Sequence, residues 1–267
     1  DNEPPRVTLV ARPGRSSRDE LPGEPTPYSP YGVVLGGGDP GEIPAVAEGR
    51  AGVQDEGSQL VAVALAAATV DGPDRRWLDL CAGPGGKAAL LAALADQRGA
   101  GLVAAERQEH RARLVQRALR DAPGTIGIVT SDGTAAPFTA ATFDRVLVDA
   151  PCTGLGALRR RPEARWRRRA DDLLSLVLLQ RRLLSAALDL TRPGGVVLYA
   201  TCSPVLSETR GVVASVLETR SDVRLEDARA LLPDVPDCEG PVPGTIQLWP
   251  HRHGTDAMFL ALLRRTV

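Results

Sequence analysis

Leu78-Asp79-Leu80-Cys81-Ala82-Gly83-Pro84-Gly85-Gly86-Lys87 carries an apolar run into a glycine-rich loop and on into an Ala- and Leu-rich stretch. That succession reads as strand, tight turn and helix, with glycines that let the backbone approach a ligand closely. Neither G-x-G-x-x-G nor G-x-x-x-x-G-K-[ST] is present, so the loop argues against a dinucleotide or a nucleoside triphosphate. Two further apolar runs end in cysteine: Val146-Leu147-Val148-Asp149-Ala150-Pro151-Cys152 and Val196-Val197-Leu198-Tyr199-Ala200-Thr201-Cys202-Ser203. Buried strands that stop at polar or nucleophilic residues mark the carboxyl edge of a parallel sheet, where open α/β folds bind their ligands.

Outward from these runs, the pattern predicts strands at Trp77–Cys81, Gly101–Ala105, Thr125–Thr130, Phe143–Val148 and Val196–Ala200. Helices are expected at Ser58–Val70, Gly86–Ala95, Gln108–Arg120, Ala170–Leu190 and Ser207–Glu218. Strand–helix alternation at this spacing gives an α/β fold, a mainly parallel, Rossmann-like sheet with helices on both faces. Val223–Glu226, Ile246–Trp249 and Met258–Leu263 are strand-like, with no long helix between the last two, which implies an antiparallel strand at one edge. Seven strands in all are expected in the sheet. Residues 1–50 are rich in Pro and Gly and read as an extended segment, with short strands around Val7 and Val33. Residues 51–267 form the main domain.

The chain has 267 residues, 43% of them hydrophobic, enough to bury a core, and its net charge of -1 leaves any nucleic-acid footprint to be local. No run is long and apolar enough to cross a bilayer and no signal peptide is visible, so a cytoplasmic protein without a membrane partner is expected. The first residue is Asp1, so a fragment of a longer chain is also expected. Cys81, Cys152, Cys202 and Cys238 show no C-x-x-C spacing, and His110, His251 and His253 show no ligand-like grouping, so no metal is assigned. Lys87 is the single lysine; the other basic side chains are arginines.

Acidic residues follow the next three strands: Glu106, Asp132 and Asp149. Each alone reads as a turn residue or helix cap. Together, after a glycine-rich first turn, they form a wall suited to a nucleoside: Glu106 to ribose hydroxyls, Asp132 to an adenine amino group. This favours S-adenosylmethionine over a dinucleotide.

Residues 81–87, Asp149-Ala150-Pro151-Cys152-Thr153-Gly154-Leu155-Gly156 and Tyr199-Ala200-Thr201-Cys202-Ser203 resemble the motifs of Sun/Fmu-type (RsmB-like) bacterial ribosomal RNA cytosine-C5 methyltransferases. Gln54-Asp55-Glu56-Gly57-Ser58-Gln59 and Gly254-Thr255-Asp256-Ala257-Met258-Phe259 resemble that family too. The likeness runs from about Tyr28 to the end. It implies S-adenosylmethionine-dependent methylation of a cytosine in ribosomal RNA, small-subunit RNA being expected, by a monomer. It also implies that Cys81, Ala82, Gly83, Pro84, Gly85, Gly86, Lys87, Glu106, Asp132 and Asp149 line the cofactor pocket. Residues 1–50 would then be the remnant of an RNA-binding region ahead of the catalytic domain.

Carbon 5 of cytosine is a weak nucleophile, and addition of a thiolate at carbon 6 makes it enamine-like. Cysteine is both nucleophile and leaving group near neutral pH. By analogy with DNA cytosine-C5 methyltransferases Cys152 would attack; the RNA family instead uses the Thr-Cys cysteine. The resemblance therefore implies Cys202 as nucleophile, Cys152 as the release helper and Asp149 as the carboxylate that orients or protonates the base. Cys81 and Cys238 are expected to be loop thiols. The basic run from Arg159 to Arg169 follows Cys152 closely, and Arg159, Arg160 and Arg165 are expected to contact RNA, with Trp166 anchored in the core. Two other readings stay open: methylation of a different RNA or protein acceptor, and a non-catalytic RNA-binding ribosome assembly factor.

Overall fold

Alternation along the strands decides which helix meets which face of the sheet. The computed structural model describes residues 4–167 and 169–267. In chain order the elements are β1 (Thr8–Ala11), β2 (Glu24–Pro25), β3 (Gly32–Val34), α1 (Pro44–Ala47), β4 (Ala51–Val53), α2 (Glu56–Ala67) and β5 (Arg76–Asp79). Next come α3 (Gly86–Asp96), β6 (Gly101–Glu106), α4 (Glu109–Ala118), β7 (Thr125–Thr130), β8 (Phe143–Asp149), α5 (Ala164–Arg167) and α6 (Ala170–Leu190). The chain closes with β9 (Thr191–Thr201), α7 (Arg210–Thr219), β10 (Val223–Glu226), β11 (Ile246–Gln247), α8 (Pro250–His253) and β12 (Phe259–Arg265).

The main sheet runs in the order β10-β12-β9-β8-β5-β6-β7, and β5 to β9 are mutually parallel where they pair. Trp77, Leu147, Leu198 and Leu260 point to one face, where they pack with α2 and α3. Leu78, Val146, Val148, Val197 and Tyr199 point to the other, against α6 and α7. Burial on both faces accounts for the near-continuous apolar runs of these strands.

The fold is the Rossmann-like α/β arrangement expected, with one refinement. The antiparallel strand is not the outermost one. β12 pairs with β9 from Phe259 to Arg264 and is buried along most of its length, so it is an interior strand. Its outer side is shared end to end by β10 and the short β11, which makes an eighth strand. The edge falls to β10, whose Arg224 and Glu226 suit an edge position.

Residues before α2 are more regular than their composition suggests. β1 to β4 form an antiparallel sheet in the order β2-β3-β1-β4 around Leu9, Ala11, Leu21, Val33, Ala45 and Ala51. β4 carries this sheet to Val53, three residues past position 50. Polar residues of α2 fasten it to the main domain. Glu56 accepts from the Tyr28 and Ser29 amides, both at 2.7 Å. The fully buried Gln59 donates to the Leu9 carbonyl at 3.1 Å and the Gln54 carbonyl at 3.0 Å, and accepts from the Ser29 hydroxyl at 2.6 Å. Gln59→Leu keeps the volume and strands three buried groups, so urea unfolding should show a loss of about 2 to 4 kcal/mol.

Candidate active site

The chain lays the sheet outward from β5 through β6 to β7, then crosses back to place β8 on the other side of β5. The loops after β5 and β8 therefore diverge, and a crevice opens at the carboxyl ends of the strands. Residues 81–87, Glu106, Asp132, Asp149, Cys152 and Cys202 all lie at that edge, each just after or at the end of its strand. The structure thus brings the sequence-derived cofactor and thiol residues to one side of the sheet.

The glycine-rich loop is shaped by its neighbours. The Gly83 amide donates to Glu106 Oε2 at 3.0 Å, and a Cβ at Gly83 would lie 2.2 Å from that oxygen. Arg111 donates to the Gly83 carbonyl. Gly85 precedes α3 with φ of +111°, in the region that favours glycine, and a Cβ there would meet Ala118 at 2.6 Å. The other Glu106 oxygen accepts from the Gln108 amide at 2.9 Å. Asp132 accepts from the Thr134 amide and hydroxyl at 2.9 and 2.7 Å, bonds that hold its pKa below the ordinary carboxylate range.

Lys87, on the first turn of α3, donates to Asp149 Oδ2 at 2.8 Å and to the Ser58 hydroxyl at 3.3 Å. Burial acts to lower the Lys87 pKa, but Asp149 outweighs it and holds the ammonium above its usual range. The Cys152 and Cys202 sulfurs stand 3.4 Å apart and are not joined in a disulfide. Their environments differ. The hydrogen bond from Cys152 lowers the Cys202 pKa, helped by Lys87 and opposed by burial and Asp149. The same bond, with burial and the charge of Glu208, pushes Cys152 well above the usual thiol range. Of the two, Cys202 is thus the sulfur more easily ionised and Cys152 the one that keeps its proton longer. Burial, with Asp79, Asp149 and Glu106 close by, keeps the Cys81 thiol protonated at neutral pH. Burial also raises the Cys238 thiol, in a loop between β10 and β11.

Three buried polar groups at or beside this edge escaped the sequence reading. Asp79 is fully buried; its Oδ1 accepts from the Cys81 amide at 3.3 Å and its Oδ2 has no partner. Gln54 is 8% exposed, beside Gly86, with neither amide atom hydrogen-bonded. Glu208 is fully buried next to both cysteine loops. For Gln54 the signal was its place in a quoted motif; Asp79 was visible as the last polar residue of a strand. An orphaned carboxylate oxygen, an unused amide and a glycine cradle are what a ligand with cationic, carboxylate and hydroxyl groups requires. S-adenosylmethionine carries all three, and these residues fit it. Among the described residues no group of three or more His, Cys, Asp or Glu converges on a metal position.

The basic run divides in two. Arg159 and Arg160 fold inward: Arg160 meets Asp55 at 2.6 Å and Asp256 at 3.1 Å, and Arg159 meets Asp256 at 3.3 Å and the Gly254 carbonyl at 2.6 Å. These pairs fasten the loop after β8 to the start of α2 and to the loop before β12. Arg161, Arg165 and Arg167 are exposed, and Arg168 lies outside the described residues. Trp166 is not a core anchor: it is 86% exposed on α5, because its short helix stands off the sheet. Leu174 and Leu178 on α6 are exposed nearby in sequence, at 73% and 56%.

Asp79 offers a pH test. Burial foremost, then the charge of Asp149, raises its pKa from 3.8 to about 7. The folded state therefore binds more protons than the unfolded state between about pH 4 and 7, and stability falls as pH rises through that window. Asp79→Asn should flatten that slope in the ligand-free protein. Relative to the parent it should gain roughly 2 to 4 kcal/mol between pH 5 and pH 8, read from urea unfolding at the two values.

Residues 66–264 match the family model described as 16S rRNA methyltransferase RsmB/F. A putative methyltransferase of Mycobacterium tuberculosis, Rv1407, is 57% identical over 269 residues, covering 99% of this chain and 58% of its own length. The ribosomal RNA small subunit methyltransferase B of Xanthomonas campestris is 40% identical over 187 residues, covering 69% of this chain and 42% of its own. The chain thus spans less than two thirds of these relatives. Among solved structures, that of PH0851 is 28% identical with a TM-score of 0.88, covering 99% of this chain and 60% of its own. NSun6 from Pyrococcus horikoshii, solved with SFG, is 25% identical with a TM-score of 0.70 over 86% of this chain and 57% of its own. With the family model matched along most of the main domain, the chain belongs to the RsmB/F family of 16S rRNA methyltransferases.

Proposed function

We propose that this chain methylates carbon 5 of a cytosine in ribosomal RNA, of the small subunit, in the cytoplasm, through a covalent adduct between Cys202 and carbon 6. The observation that carries the reading is the pair of thiols 3.4 Å apart at the ends of adjacent parallel strands, beside the Lys87–Asp149 ion pair. Methylation of a ring nitrogen, an exocyclic amine or a protein side chain has no use for two such sulfurs.

The cofactor is S-adenosylmethionine, which supplies an electrophilic methyl group. Residues 81–87 with Glu106, Asp132 and Asp149 would hold it. Cys202, the sulfur whose ionisation is favoured, adds to carbon 6; the ring π electrons move toward nitrogen 3, where Asp149 orients the base and assists protonation. Carbon 5, now enamine-like, takes the methyl group. A base then removes the carbon-5 proton, the bond from carbon 6 to sulfur breaks, and its electrons leave with Cys202. Cys152, donating to that sulfur, stabilises the departing thiolate and so assists release. The target base must be turned out of any helix to reach these sulfurs.

Exposed Arg161, Arg165 and Arg167 with Trp166 offer an RNA-contacting surface of cations and a stacking ring. Arg159 and Arg160, bound to Asp55 and Asp256, support the loop that carries this surface and meet RNA only through their remaining exposure. Trp166→Ala should weaken RNA binding by about 1 to 3 kcal/mol in filter binding and leave calorimetric cofactor affinity unchanged.

Adduct trapping tests the chemistry. Cys152→Ala should accumulate a protein–RNA adduct that survives denaturing electrophoresis, and Cys202→Ala should form none. An adduct that persists in Cys202→Ala and vanishes in Cys152→Ala would reverse the two roles. Cofactor binding without methyl transfer to any RNA would favour the assembly-factor reading.

A further inference from the structure

Glu208 lies six positions after Cys202, in the turn that leads into α7, and is fully buried, with no cation against it among the described residues. A carboxylate so placed is tolerated only if donors surround it. Four do. The Thr153 amide donates to Oε1 at 2.8 Å and Gln180 Nε2 to the same oxygen at 2.9 Å. The Thr153 and Ser203 hydroxyls donate to Oε2 at 2.5 and 2.6 Å.

The donors are informative. Thr153 follows Cys152 and Ser203 follows Cys202, so one carboxylate grips the residue after each thiol. Gln180, on α6, also donates to the Pro151 carbonyl at 2.8 Å, closing the far side of the same loop. Tyr199, buried on β9, donates to the Glu208 carbonyl at 2.7 Å and fixes the backbone that presents the side chain. Both loops are thus tied to a single atom group, while Cys152 and Cys202 stand 3.4 Å apart above it.

We propose that Glu208 is the positioning residue of the thiol pair: it holds the two cysteine loops together and, as the anion on the Cys152 side, reserves Cys152 as the proton donor while Cys202 becomes the nucleophile. The proposal rests on the two-thiol reading above and deepens it. The charged groups around the pair are consistent with this division. Among the described residues Cys152 faces Cys202, Glu208 and the Tyr199 ring's end of β9, and Cys202 faces Lys87, Asp149 and Asp256. Glu208 is thus the carboxylate by Cys152 among the described residues, whereas Cys202 has the single lysine beside it together with Asp149 and Asp256. Glu208 touches neither substrate nor cofactor in this role; it acts through Thr153 and Ser203.

Glu208→Gln is nearly isosteric but carries no charge and cannot accept from all four donors. In the full chain, methyl transfer to RNA should fall about thirtyfold or more in kcat, with the cofactor Kd from calorimetry within about threefold of the parent. The distinguishing readout is alkylation by iodoacetamide across pH, followed by peptide mass spectrometry. The pH at which Cys152 becomes reactive should drop by about one unit in Glu208→Gln, as expected when one nearby anion is removed, with a smaller change at Cys202. A merely structural role would move both profiles together and lower cofactor affinity. If Glu208→Gln does not fold, Ser203→Ala removes one strut and keeps the anion; it should lower kcat about five- to tenfold at unchanged cofactor Kd. Parent-like kcat, or an unshifted Cys152 profile in Glu208→Gln, overturns the proposal, as does parent-like kcat in Ser203→Ala where that variant decides. Activity retained by Cys202→Ala in the same assays would instead sink the two-thiol reading itself, so the two failures are distinguishable.

Discussion

The parallel pairing of β5 with β8 is the constraint on which the rest of the molecule depends. Asp79 stands opposite Leu147 in that pairing, so β8 continues two residues beyond the end of β5 before Asp149 is reached. At the rise of a strand, Asp149 lies roughly 7 Å further along the same direction. That offset lifts the carboxylate over the glycine-rich loop, to the height at which Lys87 on α3 can meet it. A register shift of one residue would turn Asp149 to the other face and leave the lysine buried without its anion. The same pairing makes the strand order reverse, so the crevice and the ion pair within it have one origin.

Electrostatics then divide labour within a nearly symmetric pair of sulfurs. Burial alone raises any thiol, and two buried thiols in contact would both remain protonated. The asymmetry begins in the hydrogen bond between the two sulfurs and is biased from outside the pair: α3 brings an ammonium toward Cys202, and the turn before α7 brings a carboxylate toward Cys152. These come from opposite faces of the sheet, one packed on the α3 side and the other on the α6–α7 side. The chemistry of the edge is therefore a property of the whole layered fold and not of either loop taken alone.

Much of this was legible in the sequence because the relevant signals are local. Apolar runs of strand length, the glycine turn and the polar residue that closes each strand all lie within a few positions of one another. Ala170–Leu190 and Val223–Glu226 have the bounds their patterns suggested. What was not legible is long-range. Arg159 and Arg160 look like part of one basic run, yet their carboxylates come from the start of α2 and from the loop before β12. Glu208 looks like an acidic residue ahead of a helix, and only the fold shows Thr153 and Gln180 converging on it. The short strands expected around Val7 and Val33 are there as β1 and β3, but β2, β4 and the sheet they complete escaped, because these strands are two to four residues long and are held by side chains of α2. Trp166 escaped because no periodicity in a four-residue helix says which way its ring faces.

Lys87 brings a last consequence. Its ammonium is the only ε-amine in the chain, and it is 14% exposed in contact with Asp149 at the centre of the crevice. Acylation, ubiquitin attachment or any other lysine-directed chemistry on these residues has a single address, and that address is the carboxyl edge of the sheet. Everywhere else the positive charges are guanidiniums, which such chemistry leaves alone. The reactivity of this one ε-amine is thus a direct measure of how open the crevice at the carboxyl ends of the strands is.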